Sequence, residues 1–89
     1  MRFRLTEEIW KEGNMYVSYC PELDISSCAE TIEQAKINLY DSIQITVEEA
    51  KKMGTFESLL NESGLEVENN EIYSVRKSLI GFTPIEIAF

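Results

Sequence analysis

Histidine is absent from the 89 residues, and basic side chains are few: 8 Lys and Arg stand against 16 Asp and Glu, a net charge of −8. Without His there is no imidazole general base, no Ser-His or Cys-His nucleophile pair, and none of the commonest metal ligand. The acidic balance excludes recognition of DNA or RNA through phosphates, which needs a basic surface and counterion release. Cysteine is limited to Cys20 and Cys28, too few for a disulfide-stapled scaffold and without the CxxC spacing of a redox or zinc site. Long apolar runs are missing too. Leu79 to Phe82 is among the longest, far short of the ~20 residues that span a bilayer. Acids at Glu7 and Glu8 interrupt the N-terminus before a signal-peptide core develops. The expectation is a cytoplasmic protein with no membrane contact, no cofactor and no metal.

What is present suits one globular domain. Apolar residues make up 44% of the chain, enough to rule out a disordered tail, and the length leaves room for a single domain over 1–89. A chain this short buries only about 60–65% of its unfolded surface, so self-association would add stability.

Alternation identifies the first elements. Phe3, Leu5 and Ile9 share one parity and Arg2, Arg4, Thr6 and Glu8 the other, which predicts a half-buried strand from Arg2 to Trp10. Lys11 to Asn14 is a turn. Met15 to Cys20, β-branched and aromatic, is the returning strand, ended by Pro21 because proline cannot donate to a ladder. Asp24 to Cys28 is a third strand. On this parity Trp10 and Tyr16 face away from the core.

A helix follows. Thr31 and Gln34 have capping-box spacing. Ile32, Ala35, Leu39, Ile43, Val47 and Ala50 then recur at steps of three or four, with Thr46 and Met53 alongside. Gly54 suits the left-handed residue that closes such a helix, and Lys51 and Lys52 suit its negative end. The expected helix has about 22 residues and a length of ~33 Å. Thr55 can cap a shorter helix carrying Phe56, Leu59 and Leu60, stopped at Gly64 with Leu65 making the apolar contact beyond. Glu66 to Glu71, with Asn69-Asn70, is a turn or hairpin tip. Ile72 to Phe82 alternates in part, and Ile85, Ile87 and Phe89 alternate cleanly as a closing strand. The fold class is therefore α+β: a two-layer sandwich in which an antiparallel meander of three strands carries one long helix on one face. A short helix and one or two closing strands (55–89) complete a core over 1–54.

Tyr16-Val17-Ser18-Tyr19-Cys20-Pro21-Glu22-Leu23, followed by Thr31, Ile32-Glu33-Gln34-Ala35, Asn38-Leu39 and Ser42-Ile43, resembles the HicB antitoxin family. There too a strand ends in a Cys-Pro-Glu-Leu-like turn before a short strand and a Thr-capped helix. The likeness spans about residues 15 to 50 and departs where the family has Gly and this chain has Ala29. It implies a partial RNase H-like fold and a function: binding and neutralising a small, basic, mRNA-cleaving toxin of the HicA type. Many members append a DNA-binding segment. None follows here, so operator binding is not expected.

True RNase H-like enzymes hold two metals between acids on the first strand, first helix and fourth strand. The corresponding places offer Arg4, Lys36 with Asp41, and Glu86, which do not make a converging acid set. The expectation is a binding protein without catalysis. Its acids are either a solvated face or a docking surface for a basic partner. The candidates are Glu22 and Asp24 beside the Pro21 turn, and Glu30 and Glu33 at the start of the helix. A second acidic run holds Glu57, Glu62, Glu66, Glu68 and Glu71 with no intervening Lys or Arg. Ile37 and Ile45 lie on the helix side away from the main stripe and, with Ile85 and Ile87, are candidate contacts in a homo-oligomer, a dimer or tetramer. An orphan homo-oligomer with a scaffolding or regulatory role is the alternative function.

Overall fold

The computed structural model describes residues 2–74, 80–81 and 83–89. Strands β1 (Arg2–Arg4), β2 (Glu8–Glu12), β3 (Met15–Cys20) and β4 (Ile25–Ala29) precede helix α1 (Ile32–Met53) and helix α2 (Phe56–Glu62). Strands β5 (Leu65–Glu68) and β6 (Glu71–Ser74) close the series. The meander is present as β2-β3-β4, antiparallel throughout, with α1 packed across β3 and β4. Among the described residues, no helix is long and apolar enough to cross a membrane.

The expected first strand is broken. β1 leaves the meander and pairs in parallel with β6, Arg2 opposite Glu71 and Arg4 opposite Tyr73, while β6 pairs antiparallel with β5. The break falls at Leu5-Thr6-Glu7, where the Thr6 N–H donates to Glu22 Oε1 at 2.9 Å and Thr6 Oγ1 to Glu22 Oε2 at 2.6 Å. A carboxylate sixteen residues away thus takes the place of a ladder acceptor, and the chain changes sheets without leaving that N–H unpaired.

Turn chemistry sets the hairpins. Glu12 opposite Met15 leaves a two-residue loop with Gly13 at φ 61°, the left-handed geometry that matches strand twist. Asn69 and Asn70, both left-handed at φ 52° and 66°, make the two-residue turn between β5 and β6, so the acidic stretch after Gly64 is itself strand up to this tip. The β3–β4 loop runs Pro21 to Asp24 and closes with Asp24 at φ 54°, its carboxylate accepting from Tyr19 Oη at 2.8 Å.

α1 matches its sequence signals closely. Thr31 Oγ1 accepts from the Gln34 N–H at 3.1 Å, although Gln34 donates onward to Asn38 at 2.8 Å instead of reaching back, so the capping box is half made. Gly54 adopts φ 71° and, with Thr55, returns N–H bonds to the Lys51 and Ala50 carbonyls. Ala35, Leu39, Val47 and Ala50 are buried, Ile43 is half-buried, and Ile32 and Met53 are exposed where the stripe overruns the sheet. Thr55 caps α2 with its carbonyl alone; its hydroxyl turns to the Ala50 carbonyl instead.

Residues directly opposite in the ladder share a face, and two expectations change accordingly. Tyr16 lies opposite Ala29 and Lys11, on the same face as the fully buried Ser18 and Cys20, the face covered by α1. Trp10 lies opposite Val17 on the outer face, as expected. Ile9 has the inner parity but stays 38% exposed because α1 rests on β3 and β4 and not on β2. Leu60, Leu65 and Ile72 form a second buried cluster, joined by Phe3, Leu5, Leu23 and Phe56. Residues after 54 are thus part of the core.

The closing strand expected from Ile85, Ile87 and Phe89 is not formed. Thr83–Phe89 belongs to no sheet, and all three side chains are exposed. Alternation gave the segment strand potential, but no ladder partner receives it. The expectation for Ile72 to Phe82 is met through Ser74; positions 75–79 and 82 lie outside the described residues.

Candidate partner-binding surface

The four acids singled out near the family-like motif do not converge. Glu22 and Asp24 occupy the turn before β4, whereas Glu30 and Glu33 flank the Thr31 cap beyond its far end. Five strand residues at ~3.3 Å each hold the pairs roughly 17 Å apart, about two Debye lengths at physiological salt. They are two separate acidic patches.

Their members differ in freedom. Glu22 is half-buried and fully engaged, accepting from the Thr6 N–H and hydroxyl and from Cys20 Sγ at 3.5 Å. Burial would raise its pKa, but the Thr6 bonds outweigh that and hold it below the ordinary carboxylate value. Its role is to fasten the strand break. Asp24, Glu30 and Glu33 are exposed. The Asp24 carboxylate pushes the Tyr19 phenol up by accepting its proton in a hydrogen bond.

A polar knot that the sequence did not reveal ties the sheet to the helix. Glu7 accepts from Ser18 Oγ at 2.5 Å and Tyr40 Oη at 3.0 Å, and its carboxylate lies 3.3 Å from Lys36 Nζ. Desolvation opposes the charge on Glu7, yet these three donors together lower its pKa. The partners lie 11, 33 and 29 residues along the chain, at spacings that no local pattern encodes.

The second acidic run gathers on α2 and the β5–β6 hairpin. Glu57, Glu62, Glu66 and Glu68 are exposed. Glu71 meets Arg4 at 3.9 Å, and Tyr73 Oη donates to Glu68 at 2.7 Å. Ile37 and Ile45 are exposed on α1 at 50% and 56%, and Ile85 and Ile87 at 78% and 65%. The outer sheet face adds Trp10 and Tyr19, edge-to-face with centroids 6.1 Å apart, beside Val17 and Cys28. Among the described residues, no three Cys, Asp or Glu side chains are grouped to hold a metal ion.

The cysteines face opposite ways. Cys20 is paired with Ile25 on the inner face and buried, whereas Cys28 is paired with Val17 on the outer face and exposed. Burial pushes the Cys20 thiol up to about 11. Iodoacetamide at mildly alkaline pH should therefore label Cys28 alone in the folded protein and both thiols after denaturation, as read by mass spectrometry. Two labels on the native chain would contradict the packing of β3.

Fold and surface together define a small acidic domain of the two-layer α+β class. No family model, curated protein or solved structure matches the chain.

Proposed function

We propose that this chain is a HicB-like antitoxin, a cytoplasmic binding protein without catalysis that neutralises a small, basic, HicA-type toxin by occlusion. The observation that carries this reading is the run Tyr16 to Leu23 followed by the Thr31-opened helix. Its residues fall in order on β3, a tight turn, and the first turns of a helix covering the same strands. The net charge of −8 supports it, since an acidic surface steers a basic partner.

The test is association kinetics with a small basic protein of the HicA type, at low and high salt. The native chain should associate about tenfold more slowly at high salt. Asp24→Asn with Glu30→Gln and Glu33→Gln should slow association more than it speeds dissociation, because exposed charges act mainly on encounter. Glu22 is left intact because it secures Thr6. Salt-independent association would overturn electrostatic steering. Failure to bind, with self-association retained, would favour the orphan homo-oligomer, a reading supported by the exposed Ile37, Ile45, Ile85 and Ile87.

A further inference from the structure

α1 takes the inner face of β2-β3-β4, and among the described residues no element is layered on the outer one. The register puts Glu8, Trp10 and Glu12 in a row along the outer face of β2, opposite Tyr19, Val17 and Met15 on β3. Ser26 and Cys28 lie beyond them on β4. Alternate residues of a strand share a face, so the β2 row is a carboxylate, an indole and a carboxylate at steps of roughly 7 Å. Trp10, the chain's single tryptophan, is 37% exposed and edge-to-face with Tyr19. Val17 is already covered. The free apolar surface is therefore chiefly the two rings, which is space for one flat side chain and not for another helix.

The charges around these rings have one sign. Asp24 accepts from Tyr19 Oη at 2.8 Å. That hydrogen bond pushes the phenol up, and the charge on Glu8 adds to the push, so two carboxylates gather at the Tyr19 end of the ring pair. Among the described residues, Glu8, Glu12 and Asp24 form no ion pair with Lys or Arg. Lys11 is the one basic side chain of the three strands, and it has the inner parity, 5.8 Å from the Tyr16 ring centroid. An exposed indole between unpaired carboxylates attracts a cation twice, through the ring quadrupole and through the charges. Arginine suits it best, because its planar guanidinium stacks on a ring while its N–H groups reach a carboxylate.

We propose that the Trp10 ring on the outer face of β2 receives an arginine side chain of a basic protein partner, the guanidinium flat on the indole and its N–H groups on Glu8 or Glu12. The anchor rests on the reading of this chain as a binder of a basic protein and names the face on which that protein is held. Tryptophan and arginine are among the residues in which binding energy concentrates at interfaces. Glu30 and Glu33 act on encounter, whereas this contact acts after it, so its loss belongs mainly to dissociation.

The probe is a hexa-arginine peptide, followed by two-dimensional NMR of the full chain at low ionic strength. The largest saturable shifts should fall on the Trp10 indole N–H and on the amides of Glu8 to Glu12 and Met15 to Tyr19. Glu8→Gln with Glu12→Gln and, separately, Trp10→Leu should each weaken the affinity read at the Tyr19 amide about two- to fivefold. Glu62→Gln with Glu66→Gln removes as many charges from the second acidic run and should have the smaller effect. Hexa-lysine carries the same charge on ammonium groups that do not stack, and it should shift the indole less. Shifts largest on α2 and the β5–β6 hairpin, an equal loss from the Glu62 and Glu66 variant, or an equal response to hexa-lysine would each overturn the anchor. The probe contains no toxin, so its failure strikes this anchor alone, whereas failure of a HicA-type protein to bind strikes the antitoxin reading.

Discussion

Leu39→Ala should destabilise the domain by about 2–5 kcal/mol, through lost transfer energy and the cavity left behind. Leu39 is 1% exposed and is the largest fully buried side chain of α1. Ala35, one turn before it on the inner stripe, is too small to swing into the vacated space. Leu39 also lines a surface groove together with Phe3 and Leu5, so water can enter part of the cavity, and the loss belongs in the lower half of that range. Even so, a domain of this length has only about 4–13 kcal/mol in total. The check is urea unfolding, in which the midpoint should fall while the slope against denaturant stays the same. An unchanged midpoint would mean that α1 turns a different face to the sheet.

The second large effect is acid sensitivity arising from Glu7 and Glu22. Both carboxyls titrate below their ordinary value of 4.5 in the folded protein, because hydrogen-bond donors favour the charged form more than burial disfavours it. A depressed folded-state pKa means that the unfolded chain binds protons first as pH falls. The stabilisation is therefore complete above about pH 4.5, the ordinary value, and is lost as pH drops through the lower folded-state values. Replacing each acid by Gln should cost about 1–3 kcal/mol at neutral pH, the usual range for bonds to charged groups, toward the lower end for both because both are only half-buried. The double variant should also show a flatter decline in urea midpoint between neutral and acid pH than the native chain. Parallel declines would place the acid-sensitive groups elsewhere.

How far the sequence could be read depended on the range of the interactions. α1 was legible to its ends because Thr31, the apolar steps of three and four, and Gly54 are all local. Hairpin turns at Gly13-Asn14 and Asn69-Asn70 were legible for the same reason. The break at Leu5-Thr6-Glu7 was not, since nothing within that segment announces that Glu22 will take the Thr6 N–H. Alternation misled twice, each time because it records strand potential and not a partner. It ran one strand through the break, and it assigned a closing strand to Ile85–Phe89, where the structure has none. At the candidate surface the acids themselves were evident, but their division by the length of β4 was not. The Glu7 knot needed three elements in place before it could be seen.

The parallel pairing of β1 with β6 has a consequence for the order in which the chain can fold. Every contact within β2-β3-β4 and onto α1 joins segments that are near in sequence and can form as soon as they are made. β1 waits, because Arg2 meets Glu71 and its N–H bonds the Asn70 carbonyl. Closing so long a loop carries an entropy cost that grows with the logarithm of its length and must be met before the pairing returns anything. Residues 2–4 are thus among the last of this domain to find their place. Until they do, Phe3 and Leu5 cannot cover Leu60, Leu65 and Ile72. During translation the half-built domain therefore shows an apolar wall to its surroundings, and the interval before β6 arrives is when it is most exposed to aggregation.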